Sequence, residues 1–376
     1  MIPAAAGRAE AAPAADPIRV MVCDDSVVIR GALSRMLESD PGIRVVARVG
    51  NGQMAVDALR GQRVDVVVLD IEMPVMDGLT ALPLLLRADP GLRVIMASTL
   101  TTRGADIALR ALRLGAADYV PKPETRGIDA DAFRAELLAK VRGLARLRAP
   151  VRAHAQGQTR GQGQGQAPAA AVPACRPVGR PPQLVAVGSS TGGPQALFTL
   201  VQGLAAGGAK LELPVVLTQH TPPAFAAMLA GHITGLGGPP CVQAEDGQPL
   251  QPGRLHLAPG DRHLLVERRG GALVARLSDG PPENYCRPAV DPMLRSAAEA
   301  CGGRVLVVML TGMGQDGLEG TRAVVEAGGT AVAQDEASSV VWGMPGAVAR
   351  AGLCHAVLPL PQIAPKILDL VKTGKR

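Results

Sequence analysis

At 376 residues, with 47% hydrophobic and 19% charged residues, the chain is long enough for more than one globular domain and too ordinary in composition to be fibrous or wholly disordered. Aromatic residues make up only 2%, so the cores must be built from Val, Leu, Ala, Ile and Met, and apolar runs such as 64–69 and 305–310 fall far short of the roughly 20 residues that span a bilayer. The net charge of +6 raises nucleic acid as a partner, but the excess gathers where no Asp or Glu occurs between Glu136 and Glu212, with almost no aromatics to stack bases. A solvated basic linker is the better reading, so neither nucleic-acid binding nor direct membrane insertion is expected.

The first 17 residues, MIPAAAGRAEAAPAADP, are Ala/Pro-rich and carry an acid but no apolar core. That is the texture of a disordered tail rather than a secretory signal, and it points to a cytoplasmic protein. From residue 18 onward, short Val-rich strands at 18–24, 44–49, 64–70, 93–98 and 118–120 alternate with helical patterns at 27–38, 52–60, 79–88, 104–114 and 130–147. Five strand–helix units predict one doubly wound parallel α/β sheet over 18–136. Ligands of such sheets gather at the carboxyl ends of the strands. There the first strand ends in Asp24 and Asp25, the third in Asp70 and the fourth in Ser98, while the fifth runs into Lys122 and Pro123. Singly, each acid reads as a helix cap. Together, the three carboxylates make a hard oxygen site suited to Mg²⁺, which would ease the approach of a phosphoryl group to one of them.

Residues 137–182 carry the end of the last helix and then APVRAHAQGQTRGQGQGQAPAAAVPACRPVGRPP, a run too poor in apolar surface to offset its ordering entropy. A flexible tether is expected. A second α/β domain then covers 183–372, with strands at 184–187, 213–218 and 304–310 leading into helices at 194–204, 222–232 and 317–327. It is interrupted at 254–277 by an antiparallel-looking stretch with Pro-Gly and Gly-Gly turns, an inserted β-hairpin. The six cysteines are scattered without a C-x-x-C pair, which favours buried apolar thiols over disulfides or metal.

Gly188-Ser189-Ser190-Thr191-Gly192 fits G-x-S-x-G between a strand and a helix, and Pro194 suits the first helical turn. The glycines permit a turn that lifts Ser190 out of the backbone, and the amides of Thr191, Gly192 and Gly193 are placed to cradle an anion. A phosphate-binding turn is the rival reading, although no Lys-Ser/Thr pair follows. Nucleophilic serine needs a base. Of the six histidines, His154 lies in the tether, His232 in a helix, His256 and His355 within strands, and His263 at the start of the hairpin. His220 alone stands at the carboxyl end of a parallel-type strand, level with Ser190. The third member is a carboxylate at another strand end: Asp316, in the Gly-rich loop after 304–310, leads, with Asp261, Asp279 and Asp291 as alternatives. The order Ser, His, Asp departs from that of the α/β-hydrolases but is permitted, because geometry defines a triad.

The motifs VCDDS, VVVLDIEMPVMDG, ASTL and DYVPKP make residues 18–136 resemble the response-regulator receiver domain. With GSSTGGPQA, TQHTPP, LAPGDRH, DGPPENYCRPAVD, LTGMGQDG and DEASSVVWGMP behind it, the whole resembles the chemotaxis protein-glutamate methylesterase family. The resemblance implies Asp70 as phosphoacceptor, Asp24 and Asp25 helping to hold Mg²⁺, Ser98 and Lys122 sensing the phosphoryl group, and Tyr119 as an aromatic that reorients. It implies Ser190 as nucleophile, His220 as base, Asp316 as its orienting partner, and loop support from Thr191, Gly192 and Met313. The implied activity is hydrolysis of glutamate methyl esters and deamidation of glutamines on methyl-accepting chemotaxis receptors. A sensor histidine kinase would be the phosphodonor, and phosphorylation would relieve a block of the cleft by the receiver. Gln315 stands where many relatives carry Asn, and the tether is longer and richer in Gln and Gly than in compact relatives.

Overall fold

The computed structural model describes residues 16–98, 102–122, 130–148, 176–206 and 211–373. The tail before residue 16 and the spacer at 149–175 lie outside the described residues. The front half runs β1 (Ile18–Cys23), α1 (Val27–Glu38), β2 (Ile43–Val49), α2 (Gly52–Gly61), β3 (Val66–Asp70), α3 (Gly78–Ala88), β4 (Arg93–Ser98), α4 (Thr102–Arg113), β5 (Asp118–Pro121) and α5 (Ala130–Arg148). Its five strands are parallel in the order β2-β1-β3-β4-β5. β3, Val-Val-Val-Leu-Asp, is buried at all five positions; a strand covered by helices on both faces can be apolar throughout. Side-chain caps fix where the helices start: Asn51 accepts from the Met54 amide at 2.9 Å and Asp77 from the Thr80 amide at 2.7 Å.

The back half runs β6 (Leu184–Ser189), α6 (Gly193–Ala206), β7 (Val215–Gln219), α7 (Pro223–Thr234), β8 (Cys241–Gln243), β9 (Leu255–Leu257), β10 (His263–Arg269), β11 (Ala272–Ser278), α8 (Val290–Ala300), β12 (Val305–Met309), α9 (Leu318–Glu326), β13 (Thr330–Gln334), α10 (Met344–Arg350), β14 (Ala356–Leu358) and α11 (Leu360–Thr373). Seven strands form a parallel sheet in the order β14-β13-β12-β6-β7-β9-β8, and β10 and β11 form a separate antiparallel hairpin.

Two expectations need correction. The stretch 254–277 is not wholly antiparallel: Leu255–Leu257 is buried and pairs in parallel with β7 and β8, so Pro259-Gly260 leaves the sheet instead of turning a hairpin. The last residues of the expected tether, 176–182, are tied to the back half. The Arg176 amide donates to the Cys354 carbonyl at 2.9 Å, the Gly179 amide to Thr330 Oγ1 at 2.8 Å and the Arg180 amide to the Gly328 carbonyl at 2.8 Å. Composition reports how little side-chain surface a segment can bury, but not whether its backbone finds partners on a neighbouring edge.

The two halves pack directly. Val340, from the loop after β13, enters an apolar cluster with Leu137, Val141 and Leu144 of α5. Tyr119 of β5 stacks on Phe225 of α7, with ring centroids 4.3 Å apart and planes 16° apart. Gln195 Nε2 donates to the Leu112 and Ala116 carbonyls, both at 2.8 Å. Arg146 donates to the Glu336 carboxylate at 2.7 Å and to the Ser339 carbonyl at 2.9 Å. Gly143 is required here because a Cβ would overlap the Val340 carbonyl. Among the described residues no helix is long and apolar enough to cross a membrane.

Gly143→Val should therefore push the halves apart, and Tyr119→Ala, which removes a stacked pair worth about 0.5–1.5 kcal/mol beyond its area, should loosen them. Small-angle scattering of the full chain should give a larger radius of gyration with unchanged far-ultraviolet dichroism. An unchanged radius in both variants would mean that these contacts do not hold the halves together.

Candidate active site

In the front half, β1 and β3 end side by side and bring together ligand atoms of Asp24, Asp25 and Asp70, all within 4.8 Å of one another. Asp24 and Asp70 are buried and Asp25 is exposed. Lys122 Nζ reaches Asp24 Oδ2 at 3.0 Å and Asp70 Oδ2 at 2.7 Å; among the described residues these oxygens have no other partner. Burial pushes the Asp70 carboxyl up, against the pull of Lys122, and Asp24 adds to the rise. Burial works to lower Lys122, yet Asp70 and Asp24 hold it above its usual value. Buried carboxylate oxygens with spare lone pairs, facing one open side, fit a small divalent cation. Ser98 closes β4 alongside Pro121, but its side chain lies outside the described residues.

In the back half, β6 delivers the Ser190 turn. Its amide donates to the Thr311 carbonyl at 3.0 Å, and its carbonyl accepts from the Gly193 amide at 2.8 Å. Gly192 sits at φ +74°, the left-handed region where glycine costs least. Gln219, immediately before His220, clamps the turn: its Oε1 accepts from Ser189 Oγ at 2.6 Å and its Nε2 donates to the Ser190 carbonyl at 2.9 Å. Thr191 is buried, and its carbonyl accepts from Thr311 Oγ1 at 2.9 Å. Met313 projects from the loop after β12, 39% exposed.

His220 follows β7, and its Nε2 lies 2.7 Å from Asp316 Oδ2. Asp316 is buried, and it also accepts from the amides of Val290 at 2.6 Å, Asp291 at 3.1 Å and Gly317 at 2.9 Å and from Asn284 Nδ2 at 3.0 Å. Two of those amides open α8, so the helix dipole favours the carboxylate. Burial works to raise the Asp316 carboxyl, but the His220 contact and the Val290 and Asp291 amides hold it below the usual range. Burial likewise works to lower His220, but its hydrogen bonds to Asp316 and Cys286 outweigh that and raise it to about 9. Of the other carboxylates considered, Asp261 pairs with Arg287 at 2.8 Å, Asp279 pairs with Arg262 at 2.7 Å, and Asp291 accepts from the Gly320 amide at 2.6 Å. His263 is used structurally, accepting from the Ala289 amide at 3.1 Å.

Among the described residues, no hydrogen bond joins the Ser190 hydroxyl to the His220 ring. The second ring nitrogen, Nδ1, instead faces Cys286 Sγ at 3.3 Å. The ring opens on a cleft of about 430 Å³ between the halves, lined also by Tyr119, Glu136 and Arg287. A larger cavity of about 620 Å³ lies at the far end of α6, away from these side chains. The front half also reaches into the serine turn, because Asp118 Oδ2 accepts from the Gly192 amide at 3.1 Å. Asp118 is buried beside Lys140 Nζ, which lies 3.3 Å from it and 2.9 Å from Glu136.

Sequence reasoning passed over Gln219, Asn284, Cys286, Asp118 and Lys140. Gln219 and Cys286 lay within the motifs that carry the family resemblance, and their adjacency to His220 and to the Asn284 loop was the available signal. Asp118 lay within DYVPKP, but nothing there pointed to the Gly192 amide, and Lys140, which supports Asp118 from α5, carried no signal.

Compared with known proteins, residues 185–367 match the CheB methylesterase family and residues 20–129 the response regulator receiver domain. A relative from Paramagnetospirillum magneticum, named protein-glutamate methylesterase/protein-glutamine glutaminase 1, is 54% identical over 95% of this chain and 97% of its own length. One of similar name from Azospirillum brasilense is 55% identical over 97% of this chain and 95% of its own. The crystal structure of the Thermotoga maritima CheB methylesterase catalytic domain is 38% identical, covers 50% of this chain and 99% of that domain, and superposes with a TM-score of 0.49.

Because the His220 pKa rises from 6.5 to about 9 on folding, the charged ring stabilises the fold fully below pH 6.5, and that stability is lost as pH climbs through about 9. The contribution is about 3 kcal/mol. Denaturant titrations across this range should show the wild type losing that much more stability than His220→Gln. Parallel pH profiles would contradict the ring's charged state.

Proposed function

The chain belongs to the CheB methylesterase family, and from that premise we propose that it hydrolyses glutamate methyl esters on methyl-accepting chemotaxis receptors, deamidates receptor glutamines, and is switched on by phosphorylation of Asp70. The observation that carries the reading is the His220–Asp316 pair, 2.7 Å apart beside the Ser190 turn, at the strand ends of one parallel sheet.

In this mechanism Ser190 Oγ attacks the side-chain acyl carbon. With Nε2 engaged by Asp316, Nδ1 of His220 is the nitrogen that takes the hydroxyl proton, once the ring has shed the proton its raised pKa holds. Substrate must therefore bring Ser190 to the position that Cys286 holds at rest. Catalytic hydrogen bonds often close only when substrate is bound. The same nitrogen returns the proton to departing methanol or ammonia, and water then clears the acyl-enzyme. The Thr191 and Gly192 amides are the oxyanion donors, each worth on the order of 10²–10³ in rate, with Met313 in the loop beside them. Asp316 fixes the ring and stabilises the imidazolium.

In the front half, Asp24, Asp25 and Asp70 would hold Mg²⁺, and the convergence of their carboxylate oxygens within 4.8 Å of one another supports that fit. When bound, the cation offsets charge between the carboxylates and an incoming phosphoryl group. Lys122 would then exchange its contacts with Asp24 and Asp70 for the phosphoryl oxygens, with Ser98 assisting. Lys122 follows β5 directly, and β5 carries both Asp118, on the Gly192 amide, and Tyr119, on Phe225. Phosphorylation would thus act at the strand that occupies an oxyanion donor. Turning a mostly closed enzyme mostly open takes roughly 5 kcal/mol of differential stability. A sensor histidine kinase is the phosphodonor in this reading.

Ser190→Ala should lower methanol release from methylated receptor membranes by about 10⁴-fold or more while phosphate still enters Asp70; near-normal turnover would refute the nucleophile. Asp70→Asn should keep the basal rate but lose its stimulation by acetyl phosphate, and stimulation equal to wild type would rule out the switch.

A further inference from the structure

We propose that Cys286 is a modification site of this cleft: a thiol activated by His220 that hydroperoxides oxidise, silencing the esterase centre. Its sulfur, the imidazole and Asp316 stand in line, with Sγ 3.3 Å from Nδ1 and Nε2 2.7 Å from the carboxylate. An imidazole buttressed by a carboxylate at its far nitrogen is the arrangement that takes a proton from a thiol and leaves a nucleophilic thiolate.

Two further observations separate Cys286 from an incidental cysteine. It is only partly buried and lines the cleft of about 430 Å³, whereas Cys23, Cys241, Cys301 and Cys354 are all buried. Burial pushes Cys23 and Cys241 up to about 12. Its position is also held by the backbone: Cys286 and Glu283 exchange amide–carbonyl hydrogen bonds at 2.8 and 3.1 Å. Between them, Asn284 and Tyr285 adopt φ of 51° and 63°, a conformation costing non-glycine residues on the order of 1 kcal/mol each. Asn284 anchors the same turn to Asp316 and Asp291.

The chemistry balances with a hydroperoxide as oxidant. Where the ring is neutral the thiol proton passes to Nδ1, and the thiolate attacks one peroxide oxygen. The O–O bond breaks, and the leaving hydroxide or alkoxide takes the imidazolium proton to become water or an alcohol. Cys286 becomes a sulfenic acid; sulfur is oxidised by two electrons and the peroxide reduced. The added hydroxyl lies against the nitrogen that Ser190 needs. That turnover then stops rests on the reading of His220 as the base, but the reactivity of the thiol does not. A thiol reductant reverses the change through a mixed disulfide.

The test uses the full chain carrying Cys175→Ser, because Cys175 lies outside the described residues. With limiting iodoacetamide, peptide mass spectrometry should find Cys286 alkylated about tenfold or more faster than each buried cysteine. Asp316→Asn should slow that alkylation, and urea should erase both differences. Hydrogen peroxide should abolish esterase activity, dimedone should trap the sulfenic acid at Cys286, and dithiothreitol should restore the rate. Cys286→Ala should keep whatever activity it starts with through the same treatment. Uniform alkylation across the cysteines would overturn the activated thiol, and measuring it in Ser190→Ala keeps that result independent of turnover. Full activity with Cys286 completely sulfenylated would overturn the silencing, as would equal loss in Cys286→Ala, which would move the lesion to the exposed Met313.

Discussion

Everything chemical in this molecule depends on where a parallel sheet reverses its winding. Helices then leave neighbouring strands toward opposite faces, and a crevice opens at the carboxyl ends. The front sheet reverses between β1 and β3, which is where Asp24, Asp25 and Asp70 meet. The back sheet reverses between β6 and β12, so the Ser190 turn and the Asp316 loop face each other with His220 one strand away. The fold builds two crevices by the same rule and brings three carboxylates to one and Ser190, His220 and Asp316 to the other.

The back crevice is held firmly on its acidic side. Asp316 is saturated by three backbone amides, Asn284 and His220, so a buried charge that would otherwise be costly is fully partnered. The His220 ring is thereby fixed through Nε2. Nδ1 faces Cys286 Sγ at 3.3 Å, and in the proposed mechanism the same nitrogen serves Ser190. A single nitrogen thus connects catalysis to the neighbouring thiol.

The interface between the halves is tied by electrostatics in a dry place. Asp118, Lys140 and the Gly192 amide form a buried chain from α5 to the serine turn. Burial pushes Asp118 up, while Lys140 pulls it down, and Lys140 stays above its usual value because Asp118 and Glu136 offset its desolvation. Breaking one partner out of such a set typically costs about 3–5 kcal/mol, comparable to the bias a phosphoryl switch must supply.

The amino-acid pattern alone located the five strand–helix units of the front half and, in the back half, β6, β7, β12, the β10–β11 hairpin and α6, α7 and α9, while β8, β13, β14, α8, α10 and α11 went unassigned. A five-fold alternation of Val-rich runs and amphipathic stretches has few other folded solutions, and catalytic side chains of α/β sheets cluster where strands stop. It also pointed to Asp24, Asp25, Asp70, Ser190, His220 and Asp316, because those residue types at strand ends are chemically costly without partners. It misjudged Leu255–Leu257 and residues 176–182, where pairing to a distant edge outweighs local texture. Only the tertiary structure decided that Asp316, rather than Asp261, Asp279 or Asp291, meets the ring, that Cys286 holds Nδ1, and that Asp118 occupies the Gly192 amide. These are contacts between residues far apart in the chain, set by packing across elements, and no local pattern encodes a distance between side chains that meet only when two sheets have closed.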